Sequence, residues 1–140
     1  MFRDDLLGVE RFTAPLKTAF ATAGTADEFP AFRAPYACVV TAVRFIPETA
    51  VTGTATNYGT LSAQNKGVAG TGTTEICSFA FDTATTDDVA AFDEKALTLS
   101  GTAANLALAA GAVVSIKKAV AGTGQVLDGI VIFEVRKTGA

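Results

Sequence analysis

The side chains that most often do chemistry are sparse in this chain of 140 residues, and the most versatile of them is missing. There is no histidine, which removes the usual general base near neutral pH, the Ser-His-Asp arrangement and most zinc and copper sites. Two cysteines, Cys38 and Cys77, do not by themselves make a metal site. Both fall in stretches that read as strands, where buried free thiols acting as small apolar side chains are expected. An oxidising compartment would instead allow a disulfide between neighbouring strands. No Gly-x-Ser-x-Gly run is present, so a nucleophile elbow is excluded.

Two further groupings invite a chemical reading. Gly67, Gly70 and Gly72 have the texture of a phosphate cradle, but no Lys-Ser/Thr follows and the strand-to-helix context is absent. A hairpin loop is the reading that fits. The carboxylates Asp82, Asp87, Asp88, Asp93 and Glu94 contain the raw material of a glycosidase pair or of hard oxygen ligands for calcium. Their spacing matches no EF-hand loop, and tryptophan is absent with only Tyr36 and Tyr58 carrying phenols. They read as a solvated acidic helix and its flanks. The expectation is a chain with no catalytic residues, no cofactor and no metal, that is, not an enzyme.

The elements around these residues are strands. Tyr36–Pro47 is the longest, bracketed by Pro35 and Pro47, which cannot donate ladder hydrogen bonds and belong at strand ends. Simple alternation sends Val39, Thr41, Val43 and Phe45 to the core and Cys38, Val40, Ala42 and Arg44 to the other face. Asn57–Asn65 and Glu75–Asp82 read as strands joined by the glycine-rich loop 66–74. In the second of them Cys77, Phe79 and Phe81 share a face. Leu97 and Leu99 begin another strand, followed by strands at Asn105–Ala109, at Val113–Lys118 (closed by Lys117 and Lys118) and at Gly129–Lys137. In the last, Val131, Phe133 and Val135 line one face, while the other runs from Ile130 and Ile132 to Glu134 and Arg136. Thr85–Lys95 is the one helix candidate. Thr85 is its cap, Asp87 and Asp88 sit at its N-terminus, and Val89 and Phe92 would anchor it. Seven to nine short strands with frequent turns predict an all-β protein, an antiparallel β-sandwich of jelly-roll-like kind with one short helix.

Residues 1–30 differ from the rest. They mix charges (Arg3, Asp4, Asp5, Glu10, Arg11, Lys17, Asp27, Glu28) with apolar residues that keep no sustained period. They read as an extended N-terminal arm, with 31–140 as the sandwich domain, although an ordinary first pair of strands is the alternative. The opening Met1-Phe2-Arg3-Asp4-Asp5 lacks the pattern of a signal peptide. Charged residues make up 18% of the chain, against about a quarter in a typical domain, and the net charge is -3. Mean hydropathy is +0.36, yet the longest apolar run, Leu106–Val114, is about half the length of a membrane span. No membrane partner is expected. Residues 49–116 carry a net -4 and residues 117–140 a net +2, a separation suited to register between neighbouring copies. A nucleic-acid partner would want a stronger basic patch with stacking aromatics.

Three stretches together, Ala34-Pro35-Tyr36 through Val43-Arg44-Phe45-Ile46-Pro47, the glycine-rich loop at 67–74, and Leu106 through Val114, resemble the small β-sandwich structural proteins of tailed bacteriophages. The nearest kind is the head decoration, or cement, proteins, and the resemblance spans residues 31–137. It implies a homotrimer on the capsid surface of the virion, assembled in the host cytoplasm, that clamps neighbouring major capsid protein subunits and has no active site. Apolar residues in a segment without a fold of its own make Phe2, Leu6, Leu7, Val9, Phe12 and Leu16 the candidate partner-binding residues of the arm. A receptor- or carbohydrate-binding knob of a head fibre or tail component is the alternative. It should carry aromatic or polar groups at loop tips, and the loops here are Gly, Thr and Ala.

Overall fold

The computed structural model describes residues 8–138, which form two antiparallel sheets packed face to face. Ten strands occur in the order β1 (Val9–Pro15), β2 (Asp27–Arg33), β3 (Cys38–Pro47), β4 (Gly59–Gly67), β5 (Thr74–Ala80), β6 (Lys95–Ala96), β7 (Thr98–Leu99), β8 (Ala107–Leu108), β9 (Val113–Val120) and β10 (Gly129–Lys137). One sheet runs β1-β10-β3, and the far edge of β3 is shared by β8 at its start and β6 near its end. The other runs β2-β9-β4-β5-β7. Only the β4–β5 connection is a hairpin within one sheet; the other connections pass from sheet to sheet. The expected β-sandwich is what forms.

The core lies between the sheets and is built from period-2 alternation. Val131, Phe133 and Val135 of β10 face Leu61 and Ala63 of β4 and Val114 and Ile116 of β9 across the gap, all buried. Edge-on ring pairs, Phe45 with Phe81 and Phe32 with Phe133, tie the layers together. The segment after Lys95 changes sheets within three residues: β6 pairs with β3, Leu97 is buried, and β7 pairs with β5.

Alternation fails as a guide in the first half of β3. Cys38 and Val40 are buried together with Val43 and Phe45, whereas Val39 and Thr41 are only half-buried. The cause is a bulge. Glu134 of β10 opposes Ala42, but the next residue, Val135, opposes Val40, so Thr41 is one residue too many. A similar slip in β5, where Ala63 opposes Cys77 but Gln64 opposes Glu75, brings Ile76 inside beside Cys77.

Two expectations fail. Residues 9–30 are not an extended arm, because β1 pairs along its whole length with β10 and β2 pairs with β9. The rings of Phe12 and Phe32 stack at 4.4 Å between the two edge strands and close that side of the sandwich. The period of these strands is hard to read because edge strands bury one face partially and because β2 slips between Pro30 and Phe32. Residues 1–7 of the expected arm lie outside the described residues. The second failure is the helix at Thr85–Lys95, which does not form: the short helical turns are 3-10, at Thr18–Ala21 and Ala103–Leu106. The Asp87 carboxylate accepts from the Thr83 amide (2.7 Å) and Asp88 from the distant Gly53 amide (2.8 Å), and Val89 bridges Val51. Local side-chain bonds to backbone outcompete the helix ladder.

Lys118, expected with Lys117 to end a strand, sits on the inner face of β9 and is 1% exposed. Its ammonium donates to the carbonyls of Phe20 (3.1 Å) and Thr22 (2.8 Å), pinning the β1–β2 connection to the end of the core. Burial pushes its pKa below the ordinary 10.5. The charged form is then disfavoured in the fold, so between the folded pKa and 10.5 the unfolded chain binds more protons than the folded one. In that window the stability contributed by Lys118 rises with pH. The urea midpoint of the natural chain is therefore expected to gain on that of Lys118→Met as pH approaches 10.5. A constant difference between the two would contradict the burial of the charge.

Candidate interaction surface

The outward faces of the two sheets differ in chemistry. On the β9-β4-β5 face, Ser62 lies between Ser78 and Lys117, and Glu28 of β2 closes the edge. The Glu28 carboxylate accepts from Ser115 at 2.6 Å and from Lys66 at 3.3 Å. These two bonds, the serine's first, hold the Glu28 carboxyl below the usual carboxylate range against the opposing effect of burial. A carboxylate so poised is a poor base for Ser115, so the trio reads as a structural tie across a shallow cleft of about 280 Å³.

The β1-β10-β3 face is divided. Its middle is charged: Glu134 receives Arg11 and Arg44, and Arg44 also meets Glu94 at 2.9 Å. Toward the Pro15 end Ile132 lies between Thr13 and Arg44, and the last row is apolar, with Ile130 between Pro15 and Ile46. Here β1 and β3 end and β10 begins, and an open cleft of about 590 Å³ forms. Pro15, Leu16, Ile46, Pro47, Phe92 and Ile130 supply its apolar walls, with Lys17, Glu48 and Asp128 among its polar groups. The close approach of its walls needs Gly129: at φ +127 it leaves space that a Cβ would fill 2.1 Å from the Ile46 carbonyl. The amide of Leu16 donates to the Gly129 carbonyl at 2.9 Å, fixing the second wall.

Phe92 stands at the rim. It is 78% exposed and has φ +66, in the left-handed region. For a bulky L-residue that conformation costs about 1–2 kcal/mol. Its amide donates to the Pro47 carbonyl at 2.8 Å, which helps hold the strained turn against the end of β3. Phe92 thus adds a large exposed ring, held at a conformational cost, to the apolar rim of the cleft.

Of the described residues among the expected partner-binding set, Leu16 alone lines this cleft. Phe12 packs inside against Phe32, and Val9 is half-exposed at the far end of β1. Phe2, Leu6 and Leu7 lie outside the described residues. Sequence reasoning misses Ile46, Ile130 and Phe92 as lining residues of this cleft. The signal for the isoleucines is the apolar start of the otherwise charged face of β10; Phe92, spaced as a helix anchor, carries none. Cys38 and Cys77 are free and buried in opposite sheets. Burial pushes both thiols up, that of Cys77 to about 12, so neither forms a nucleophilic thiolate readily. Among the described residues no group of three or more His, Cys, Asp or Glu could hold a metal ion, and no helix is long and apolar enough to cross a membrane.

Comparison with protein-family models, with curated proteins and with solved structures finds no match to this chain.

If Phe92 is kept left-handed for contact and not for stability, Phe92→Gly should raise the unfolding free energy by about 1 kcal/mol, since glycine adopts positive φ without the Cβ penalty. Phe92→Ala, which keeps a Cβ at the same φ, should leave it nearly unchanged. Equal urea midpoints for all three chains would remove the strain argument.

Proposed function

We propose that this chain is a structural virion protein, a capsid decoration or cement protein. It binds the outer surface of an assembled phage head as a homotrimer and stabilises contacts between major capsid protein subunits. The observation that carries the reading is the apolar cleft crowned by the strained, exposed Phe92, on a sandwich whose other broad face is polar. The texture of the sequence, low in charge and rich in Ala, Thr and Gly, supports the same reading. The energetics suit it as well. A ligand that binds the assembled shell and not its free subunits stabilises the shell by mass action, and many copies multiply the effect.

The test is co-sedimentation with heads of a phage that encodes this chain, stripped of it beforehand. Saturable binding to heads and not to unassembled capsid subunits is expected, together with a raised temperature of head disruption. Phe92→Gly should remain folded and bind about tenfold more weakly or worse, as an aromatic anchor's loss does. Equal binding to free subunits, or none to heads, would overturn the reading. One observation favours the knob alternative: Phe92 is an aromatic residue displayed by a loop. Retention on a glycan array with no affinity for heads would turn the reading to that class.

A further inference from the structure

We infer that the cleft at the Pro15 end of the sandwich receives residues 2–7 of a neighbouring copy of this chain. The inference rests on the reading of this cleft as a docking site and names its occupant.

Chemistry argues for this segment. The cleft offers apolar walls of Leu16, Ile46, Phe92 and Ile130, with the carboxylates of Glu48 and Asp128 among them. Its one cation, Lys17, is already paired with Asp27 at 3.0 Å. Asp128 is committed to the amide and hydroxyl of Thr49, both at 2.9 Å, which fix its carboxylate but leave its charge unmatched. Among the described residues neither Glu48 nor Asp128 forms an ion pair. The fitting ligand is therefore a short apolar segment carrying one cation. The stretch ahead of Gly8 is Phe2-Arg3-Asp4-Asp5-Leu6-Leu7. Phe2, Leu6 and Leu7 are its apolar side chains and Arg3 is its one cation, with Asp4 and Asp5 between them. Docked in the cleft, the segment would set its apolar side chains against the walls and Arg3 against Glu48 and Asp128, with both aspartates left to solvent.

Reach assigns the segment to a neighbour. The cleft lies at the Pro15 end of β1, and the segment enters β1 at Val9, the opposite end. The strand between is about 20 Å long at roughly 3.4 Å per residue. Even fully extended, six residues span about 20 Å, so once the chain has turned back at Gly8 neither Leu6 nor Leu7 can reach the cleft of the same chain. A contact from one copy's N-terminal segment to the next copy's cleft is heterologous, and it closes into a ring if the rotation allows.

The experiment uses the purified full-length chain with no shell present. Sedimentation equilibrium would measure self-association of the natural chain and of Phe2→Ser/Leu6→Ser/Leu7→Ser, whose positions precede every described strand. The natural chain is expected to associate, and the triple variant to do so with a Kd raised about tenfold or more. Arg3→Glu and Glu48→Arg should each weaken association a few-fold, as partly exposed ion pairs do, and the double variant Arg3→Glu/Glu48→Arg should restore it. A synthetic peptide of residues 1–8 should compete. A monomeric natural chain, a triple variant that associates as the natural one does, or charge reversals that fail to rescue each other would overturn the inference. If Phe92→Gly alone dissociates the protein while the triple variant does not, the cleft is a docking site but residues 2–7 are not its occupant. Association weakened in the triple variant and in each single reversal and restored in the double reversal, with head binding absent throughout, would support the inference and sink the cement reading.

Discussion

The architecture turns on the extra residue in β3. A ten-residue strand crossing the centre of its sheet must keep one face in the core, and strict alternation gives it two choices. One buries Arg44 among apolar side chains without a carboxylate; the other turns Cys38 and Val40 out to solvent. The bulge at Thr41 avoids both. It lets Cys38 and Val40 face inward, then reverses the phase so that Val43 and Phe45 do the same. The Thr41 hydroxyl donates to the Glu134 carbonyl at 3.2 Å, satisfying an acceptor where the ladder is broken. The bulge thus lets the first half of β3 be buried while the second half keeps an outer face on which Arg44 meets Glu134 and Ile46 lies beside Ile130, the charged middle and the apolar end of that face.

How much of this the sequence disclosed depends on how each element gains its burial. Strands with a clean apolar-polar alternation and turn residues at both ends, such as Gly129–Lys137 and the pair around the 66–74 loop, were legible to within a few residues. The bulges were not, because nothing in Thr41 or Ile76 distinguishes an unpaired residue from a paired one. The edge strands were obscured by half-burial, and β6, β7 and β8 are two-residue pairings that owe their geometry to the strands beside them. The missing helix is a different kind of failure. Thr85 and the aspartates after it had the chemistry of an N-cap, but the same carboxylates reached the amides of Thr83 and Gly53 instead. With Asp88 drawn to Gly53 and Val89 bridged to Val51, the segment is committed to crossing the end of the sandwich. The left-handed residues Thr85 and Phe92 are where it bends to do so.

The candidate site was the least legible feature for a related reason. A contact surface is a convergence of chain ends, here the close of β1 and β3, the opening of β10 and a turn from the 82–94 connection. No local motif marks that convergence. The isoleucines of the outer face were visible as a departure from polar-out alternation, but two apolar residues at a strand's start are equally what a covered strand end looks like. Only topology distinguishes them.

The distribution of edges says which way such a protein can assemble. A β-sandwich offers two generic routes: strands adding at a free edge, or faces and ends docking by side chains. The edge of β2 carries Pro30 at a register slip, and that of β1 stops at Pro15 and presents Glu10 and Arg11. On the opposite side the sheets end in two-residue strands too short to template another chain. Each edge thus bears one of the devices that discourage strand addition. On the polar sheet face Ser115, Glu28 and Lys66 are committed to one another. What is left uncovered is the apolar end of the other face. The loop that could have folded over it is held back by the Phe92 amide on the Pro47 carbonyl, and it lifts a phenyl ring to the rim of the cleft instead of closing it. No described residue closes that opening, so Ile46 and Ile130 stay half-buried while the Phe92 ring stands exposed at the rim. It is this exposure, and not any motif in the sequence, that supports the proposal of a docking surface there.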